Sequence, residues 1–138
     1  MDADECLFCK MVAGQIPVTK VYEDDVVLSF LDIGPISDGH TLVIPKQHYE
    51  KVHLCPAELL VQVASSIGKI AQAVASAMDV DAYNVLCNNG RAAGQVIDHL
   101  HFHIIPRRVG DGVLDRWPSY KYKEGQLEKF ADQIRKKL

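Results

Sequence analysis

The sequence predicts an α+β fold: a mainly antiparallel sheet of about five strands, carrying one long helix and shorter flanking helices. Three observations carry this expectation. In one extended stretch, apolar residues recur at steps of three or four (Leu60, Val63, Ile67, Ile70, Val74, Met78), the period of a helix face. Short apolar runs bounded by Gly, Pro, Asp and Asn occupy most of the remaining chain, the pattern of strands. Where two such runs follow each other they are joined by a short polar turn, the connection of a hairpin. At 138 residues, 48% hydrophobic and 24% charged, the chain has material for one core rather than two, so residues 1–138 are read as one domain.

Cys6 to Val12 is apolar enough for a short helix, closed by Gly14 and Pro17. Val18 to Tyr22 reads as a strand, Glu23-Asp24-Asp25 as a tight turn, and Val26 to Ile33 as its antiparallel partner. Gly34-Pro35 and Ser37-Asp38-Gly39 mark a loop before a third strand, His40 to Ile44, which Pro45 stops. Pro56 suits the first turn of the long helix. Tyr83 to Cys87 reads as a fourth strand, Asn88 to Gln95 as a glycine-bearing loop, and His99 to Ile105 as a last strand ended by Pro106. Leu127 to Ile134 allows a C-terminal helix, and Arg135, Lys136 and Lys137 complement its dipole.

A net charge of −3 leaves no basic surplus for a polynucleotide backbone, so dedicated nucleic-acid binding is not expected. A single nucleotide remains open, because a few aimed donors suffice to hold one phosphate. No uninterrupted apolar run approaches the ~20 residues of a membrane span, and the acidic start Met1-Asp2-Ala3-Asp4-Glu5 lacks the features of a secretory signal. No membrane partner is expected, and the expected location is the cytoplasm, with the nucleus as a second compartment. Cys6 and Cys9 therefore read as metal ligands or free thiols rather than a disulfide, while Cys55 and Cys87 carry no assignment.

The segment richest in chemistry is His99-Leu100-His101-Phe102-His103, which holds three of the six histidines. In a strand, alternate side chains share a face, so the three imidazoles would point one way and Leu100, Phe102 and Ile104 the other. At ~3.4 Å per residue, the outer two are about 13 Å apart and cannot touch one atom unless the strand bends, whereas neighbouring pairs can share a substrate. A plain polar face is the alternative, but it fits poorly with such a concentration of one residue type. Two chemistries use such a row. A His-x-His pair with a further ligand can hold a water-activating zinc; alternatively, a neutral imidazole attacks directly. The preceding loop, Asn89-Gly90-Arg91-Ala92-Ala93-Gly94-Gln95, can turn backbone N–H groups toward an anion and favours a phosphate substrate.

The string Gly94-Gln95-Val96-Ile97-Asp98-His99-Leu100-His101-Phe102-His103-Ile104-Ile105-Pro106-Arg107 closely resembles the histidine triad (HIT) family of nucleotide hydrolases and transferases. Asp38-Gly39-His40-Thr41-Leu42-Val43-Ile44-Pro45-Lys46 upstream and Trp117-Pro118 downstream strengthen the likeness, which is greatest to the nucleotide-binding branch that cleaves adenosine 5′-monophosphoramidates. The resemblance implies a homodimer with a continuous sheet, the 108–138 segment being a tail that completes the domain or the dimer. It implies that His101 attacks the α-phosphorus to form a nucleotidyl-histidine, that His103 and His40 contact phosphate and assist proton transfer, and that the His99 carbonyl orients the nucleophile. Leu7, Phe8, Met11, Phe30 and Ile33 match the base pocket, Asp32 the ribose carboxylate, and Asn88, Gly94 and Gln95 the phosphate contacts. Purine nucleoside monophosphate derivatives are the implied ligands, and no catalytic metal is expected. Taken singly, the apolar residues would also suit a core, and the glycine loop its own turn geometry.

The resemblance further implies a structural zinc in which Cys6 and Cys9 join His48 and His99 as a closed tetrahedron. Arg107 and Arg108 read as a solvated basic pair. One departure stands out: the family often carries Ser or Thr after Gly-Gln, and Val96 cannot donate a hydrogen bond to a leaving group. A dinucleoside polyphosphate hydrolase, and a nucleotide-sensing partner protein in which hydrolysis is incidental, are the alternative functions.

Overall fold

The computed structural model describes residues 3–138; Met1 and Asp2, the beginning of the acidic start, lie outside the described residues. Five strands, β1 (Lys20–Glu23), β2 (Val27–Leu31), β3 (Thr41–Pro45), β4 (Ala82–Leu86) and β5 (Phe102–Arg107), form an antiparallel sheet in the order β1-β2-β3-β5-β4. The helices are α1 (Leu7–Val12), α2 (Ala57–Ala77) and α3 (Gln126–Arg135). The expected class and element order are therefore present; β2 is shorter than predicted, β3 and β4 are each displaced by one residue, and Pro45 lies inside β3 rather than stopping it.

Strand alternation sorts the core into two layers. Val27, Val43 and Ile104 face α2, where they meet the predicted stripe of Val63, Ile67, Ile70 and Val74. Burying each large aliphatic side chain stabilises the fold by about 1.5–3 kcal/mol, so this stripe holds α2 on the sheet. By length and a hydropathy of 1.3, α2 would also pass for a membrane span, a point the interruptions by Gln62, Ser66 and Lys69 obscured. Leu28, Phe30, Leu42 and Ile44 occupy the other face and pack against Cys6 and Phe8. His103 lies opposite Leu42 in the β3–β5 ladder and so belongs to this second face.

The predicted turn between β1 and β2 is built on Asp24. Its carboxylate accepts from the Val26 and Val27 N–H groups at 2.8 and 2.7 Å and from the Tyr22 hydroxyl at 2.7 Å. Between β2 and β3 the ladder continues one step past the strand ends, as the Asp32 N–H donates to the His40 carbonyl at 2.9 Å. Asp32 and His40 are thereby brought side by side.

β5 departs from expectation at both ends. It begins at Phe102 rather than His99, because the Leu100 N–H donates to the Tyr49 carbonyl in the β3–α2 linker and draws the chain away from the sheet. It also runs through Pro106: β3 pairs only with residues 102–104, so a missing N–H beyond that point costs no ladder bond on the β3 side. The segment after β5 turns back through Arg108, which donates to the Met78 and Asp79 carbonyls at the C-terminus of α2. Arg107 forms a bidentate pair with Asp111 and also reaches Asn84. Arg107 is thus a half-buried structural tie, while Arg108 stays exposed, as expected of a solvated residue, and ties down the end of α2 from the surface. Farther on, no residue of α3 is buried.

Candidate active site

A cavity of about 640 Å³ opens on the α1 face of the sheet, within the ordinary range for small-molecule sites. Leu7, Phe8 and Met11 of α1, Phe30 of β2, Asp32, Ile33, Gly94, His101 and His103 line it. Nine residues singled out in the sequence therefore share one hollow. Val96 lies on its wall with 74% exposure. Sequence reasoning missed the segment Ile16-Pro17-Val18-Thr19 and also Leu31, Leu42 and Ile97, which complete the lining. Val18 and Thr19 precede β1 rather than belonging to it, which frees them for this wall.

His40, Asp32 and His103 form a connected group beside the cavity. His40 Nε2 is 2.9 Å from His103 Nδ1 and 3.7 Å from an Asp32 carboxylate oxygen. The Ile36 N–H donates to His40 Nδ1 at 3.2 Å. A neutral His40 therefore carries its proton on Nε2 and donates to His103 Nδ1, which leaves the His103 proton on Nε2. His101 is set by a different partner. Its Nδ1–H donates to the His99 carbonyl at 2.7 Å, so a neutral ring keeps its lone pair on Nε2. The centroids of His101 and His103 are 5.0 Å apart.

Burial keeps these rings uncharged at neutral pH. It pushes His103 down to about 4, aided by the adjacent His101 and His40 rings. Burial likewise lowers His101 and His40, against opposing pulls from the His99 carbonyl on His101 and from the Asp32 charge on both. The Asp32 carboxylate is itself held by the Gly34 N–H at 2.8 Å.

His99 stands apart from the other two imidazoles. Its Nε2–H donates to the Pro45 carbonyl at 2.8 Å, which turns Nδ1 toward the sulfurs of Cys6 and Cys9 at 3.5 and 3.6 Å. The row is therefore not one face of one strand. The bend before Phe102 sends the His99 ring to a second cluster and leaves only its carbonyl at His101.

That cluster contains Cys6, Cys9, His48 and His99, with four ligand atoms within 4.8 Å of one another. His48 Nδ1 lies 3.4 Å from Cys9 Sγ and 3.2 Å from His99 Nδ1. A tetrahedral zinc with bonds of ~2.3 Å to sulfur and ~2.0–2.1 Å to nitrogen has ligand–ligand edges of about 3.3–3.8 Å. The four separations between Cys6 and His99, Cys9 and His48, Cys9 and His99, and His48 and His99, at 3.2–3.6 Å, are thus close to the edges of a zinc site. Two imidazole nitrogens facing each other at 3.2 Å also call for a proton or a cation between them. Burial, with Cys6 alongside, pushes the Cys9 thiol up to about 11, a shift a bound cation reverses by stabilising the thiolate.

Two residues expected at the phosphate are placed otherwise. Gln95 is 3% exposed and absent from the cavity wall. Its amide accepts from the Gly90 N–H at 2.7 Å and donates to the Glu50 carbonyl at 2.7 Å, so it braces the loop from behind. Asn88 lies under Gly94, where a Cβ would come within 3.4 Å of its amide nitrogen; Gly94 also has φ +91 and a side chain there would be strained. A second hollow of about 510 Å³ lies over Arg107 and Arg108, but both guanidinium groups are already engaged.

The comparisons with known proteins agree with this geometry. A HIT-domain family model matches residues 13–110. The adenosine 5′-monophosphoramidase hnt1 of Schizosaccharomyces pombe is 43% identical over 96% of this chain and 98% of its own length. A crystal structure of a HIT family member from Bacillus subtilis, 45% identical, superposes with a TM-score of 0.90 over 97% of each chain. A zinc-bound histidine triad protein from Mycobacterium smegmatis, 35% identical, gives a TM-score of 0.77 over 99% of this chain and 100% of that one.

Proposed function

This chain belongs to the HIT domain family, and from that premise we propose that it is a hydrolase of purine nucleoside 5′-monophosphoramidates that works through a nucleotidyl-histidine on His101. The observation that carries the reading is the 2.7 Å hydrogen bond from His101 Nδ1–H to the His99 carbonyl. It fixes the tautomer and leaves the Nε2 lone pair free at the cavity wall, as a nucleophile needs.

The base lies among Leu7, Phe8, Met11, Phe30 and Ile33, and Asp32 accepts from the ribose hydroxyls. His101 Nε2 attacks the α-phosphorus while the His103 Nε2–H donates a hydrogen bond to a phosphate oxygen, the P–N bond to the amine breaks, and the departing nitrogen takes a proton from a water molecule. The hydroxide so formed attacks the same phosphorus, and the P–Nε2 bond breaks to release the nucleoside monophosphate and neutral His101. His40 keeps His103 in the donating tautomer throughout. Val96 offers no hydrogen, so the assistance to the leaving group falls to water. Asn88 and Gly94 shape the loop around the phosphate, and Gln95 acts on that loop from outside the cavity.

Cys6, Cys9, His48 and His99 would hold a zinc ion. When bound, it supplies structural cross-linking rather than chemistry on the substrate, since all four tetrahedral positions are filled by the protein. The chain works as a homodimer in this reading, supported by the edge position of β4, where Tyr83 and Val85 are 43% and 42% exposed.

The test is to mix the protein with adenosine 5′-phosphoramidate, quench in base and map adducts by mass spectrometry. An adenylyl group on the His101 peptide is expected. His101→Ala should lose the adduct and at least ~100-fold in turnover while still binding AMP; an adduct elsewhere, or turnover that survives the substitution, overturns the assignment. Faster cleavage of a diadenosine polyphosphate than of the phosphoramidate would move the substrate class instead.

A further inference from the structure

The sulfur–imidazole cluster and the cavity have no residue in common, but they meet along α1. α1 spans only Leu7–Val12, yet Cys6 and Cys9 serve the cluster while Leu7, Phe8 and Met11 line the cavity. The Phe8 ring stands edge-on between the two sites, with its centroid 5.8 Å from His99, 5.3 Å from His101 and 5.5 Å from Phe30. His99 spans the same boundary through different atoms. Its Nδ1 faces the cysteines, its Nε2–H is tied to Pro45, and its carbonyl holds His101.

A helix of this length does not hold its own shape in water. The position of Phe8 therefore depends on what anchors the turn at either side. A cation drawing Cys6 and Cys9 onto His99 fixes α1 from below, and a base lying on Leu7, Phe8 and Met11 fixes it from above. Whichever binds first meets the cost of ordering the turn, and the second finds it already ordered.

From this arrangement we propose that zinc at the four-residue cluster and a nucleoside monophosphate in the cavity bind cooperatively, with Phe8 and His99 as the positioning residues that join them. The inference rests on the reading above, in which the cluster takes zinc and the cavity takes the nucleotide. Linkage makes the effect mutual: the factor by which zinc tightens the nucleotide is the factor by which the nucleotide tightens zinc.

The experiment uses AMP as the probe and needs no turnover. Calorimetry on zinc-loaded and zinc-stripped protein should show AMP binding about tenfold weaker after stripping. Transfer of zinc from the loaded protein to excess chromogenic chelator should be about tenfold slower in saturating AMP. The second measurement decides alone if the stripped chain does not stay folded. Phe8→Leu keeps every metal ligand, and in this variant the AMP effect on zinc transfer should shrink to about twofold; a full effect would remove Phe8 from the coupling. AMP affinity and zinc transfer that are both indifferent to the other ligand overturn the inference and leave both sites standing. A chain that takes up no zinc, or binds no AMP, overturns it as well, and each of those results removes a different part of the underlying reading.

Discussion

His103 shows how much a single side chain owes to its surroundings. Its ring is pushed down to about 4 by burial, then by His101 and His40, while in the unfolded chain it titrates near 6.5. The unfolded state therefore binds the proton more readily between those values. Stability contributed by the neutral ring is complete above about pH 6.5 and is lost as pH falls toward 4. Discounted for partial exposure, the loss from this ring is on the order of 1–2 kcal/mol. Urea midpoints measured at pH 7.5 and pH 5 should fall by less in His103→Asn than in the parent; equal falls would show that the ring titrates normally. The same lowering, shared by His101, places the acid limb of kcat/KM below the ordinary histidine range. At this scale the sequence was legible where chemistry is packed into local spacing, as in Cys6-x-x-Cys9 and His101-x-His103. It was silent on Gln95 because its direction is set by the Glu50 carbonyl, forty-five positions away.

Elements were legible in proportion to their periodicity. α2 was recognised because its buried positions repeat over 21 residues, whereas the start of β5 was misplaced because the histidine row continues the strand pattern into a segment that Tyr49 pulls aside. The sequence marks Asn89 to Gln95 as a loop able to face an anion, and the structure adds what keeps it in place. Gln95 closes it on Gly90 and anchors it to the β3–α2 linker, while Asn89 accepts from the Val52 N–H at 2.8 Å. Gln95→Ala removes the part-buried bonds to the Gly90 N–H and the Glu50 carbonyl, each worth about 0.5–1.5 kcal/mol. Chemical denaturation should register that loss, and turnover should fall through a lower kcat with AMP affinity nearly kept. An unchanged denaturation midpoint would mean that the loop holds itself.

The sheet is antiparallel with β1 and β4 at its edges, and β4 leaves Tyr83 and Val85 exposed, where the proposed second copy would pair. Val85→Lys should convert a dimer into monomers in sedimentation equilibrium, because charge on an edge strand opposes strand addition; a dimer that survives the change pairs through another surface. The sequence suggested pairing only by resemblance, since exposure at an edge depends on strand order, which no local pattern records. The sheet also separates labour. α2 covers one face, while α1 and the cavity with His101 and His103 on its wall occupy the other. Random substitution confined to the helix-covered reverse should yield a population in which molecules either melt early or run at parental speed, whereas the same mutational load on the obverse should leave many that fold well and turn over slowly. The gene can thus tune its thermal tolerance on one side while its catalytic repertoire drifts on the other.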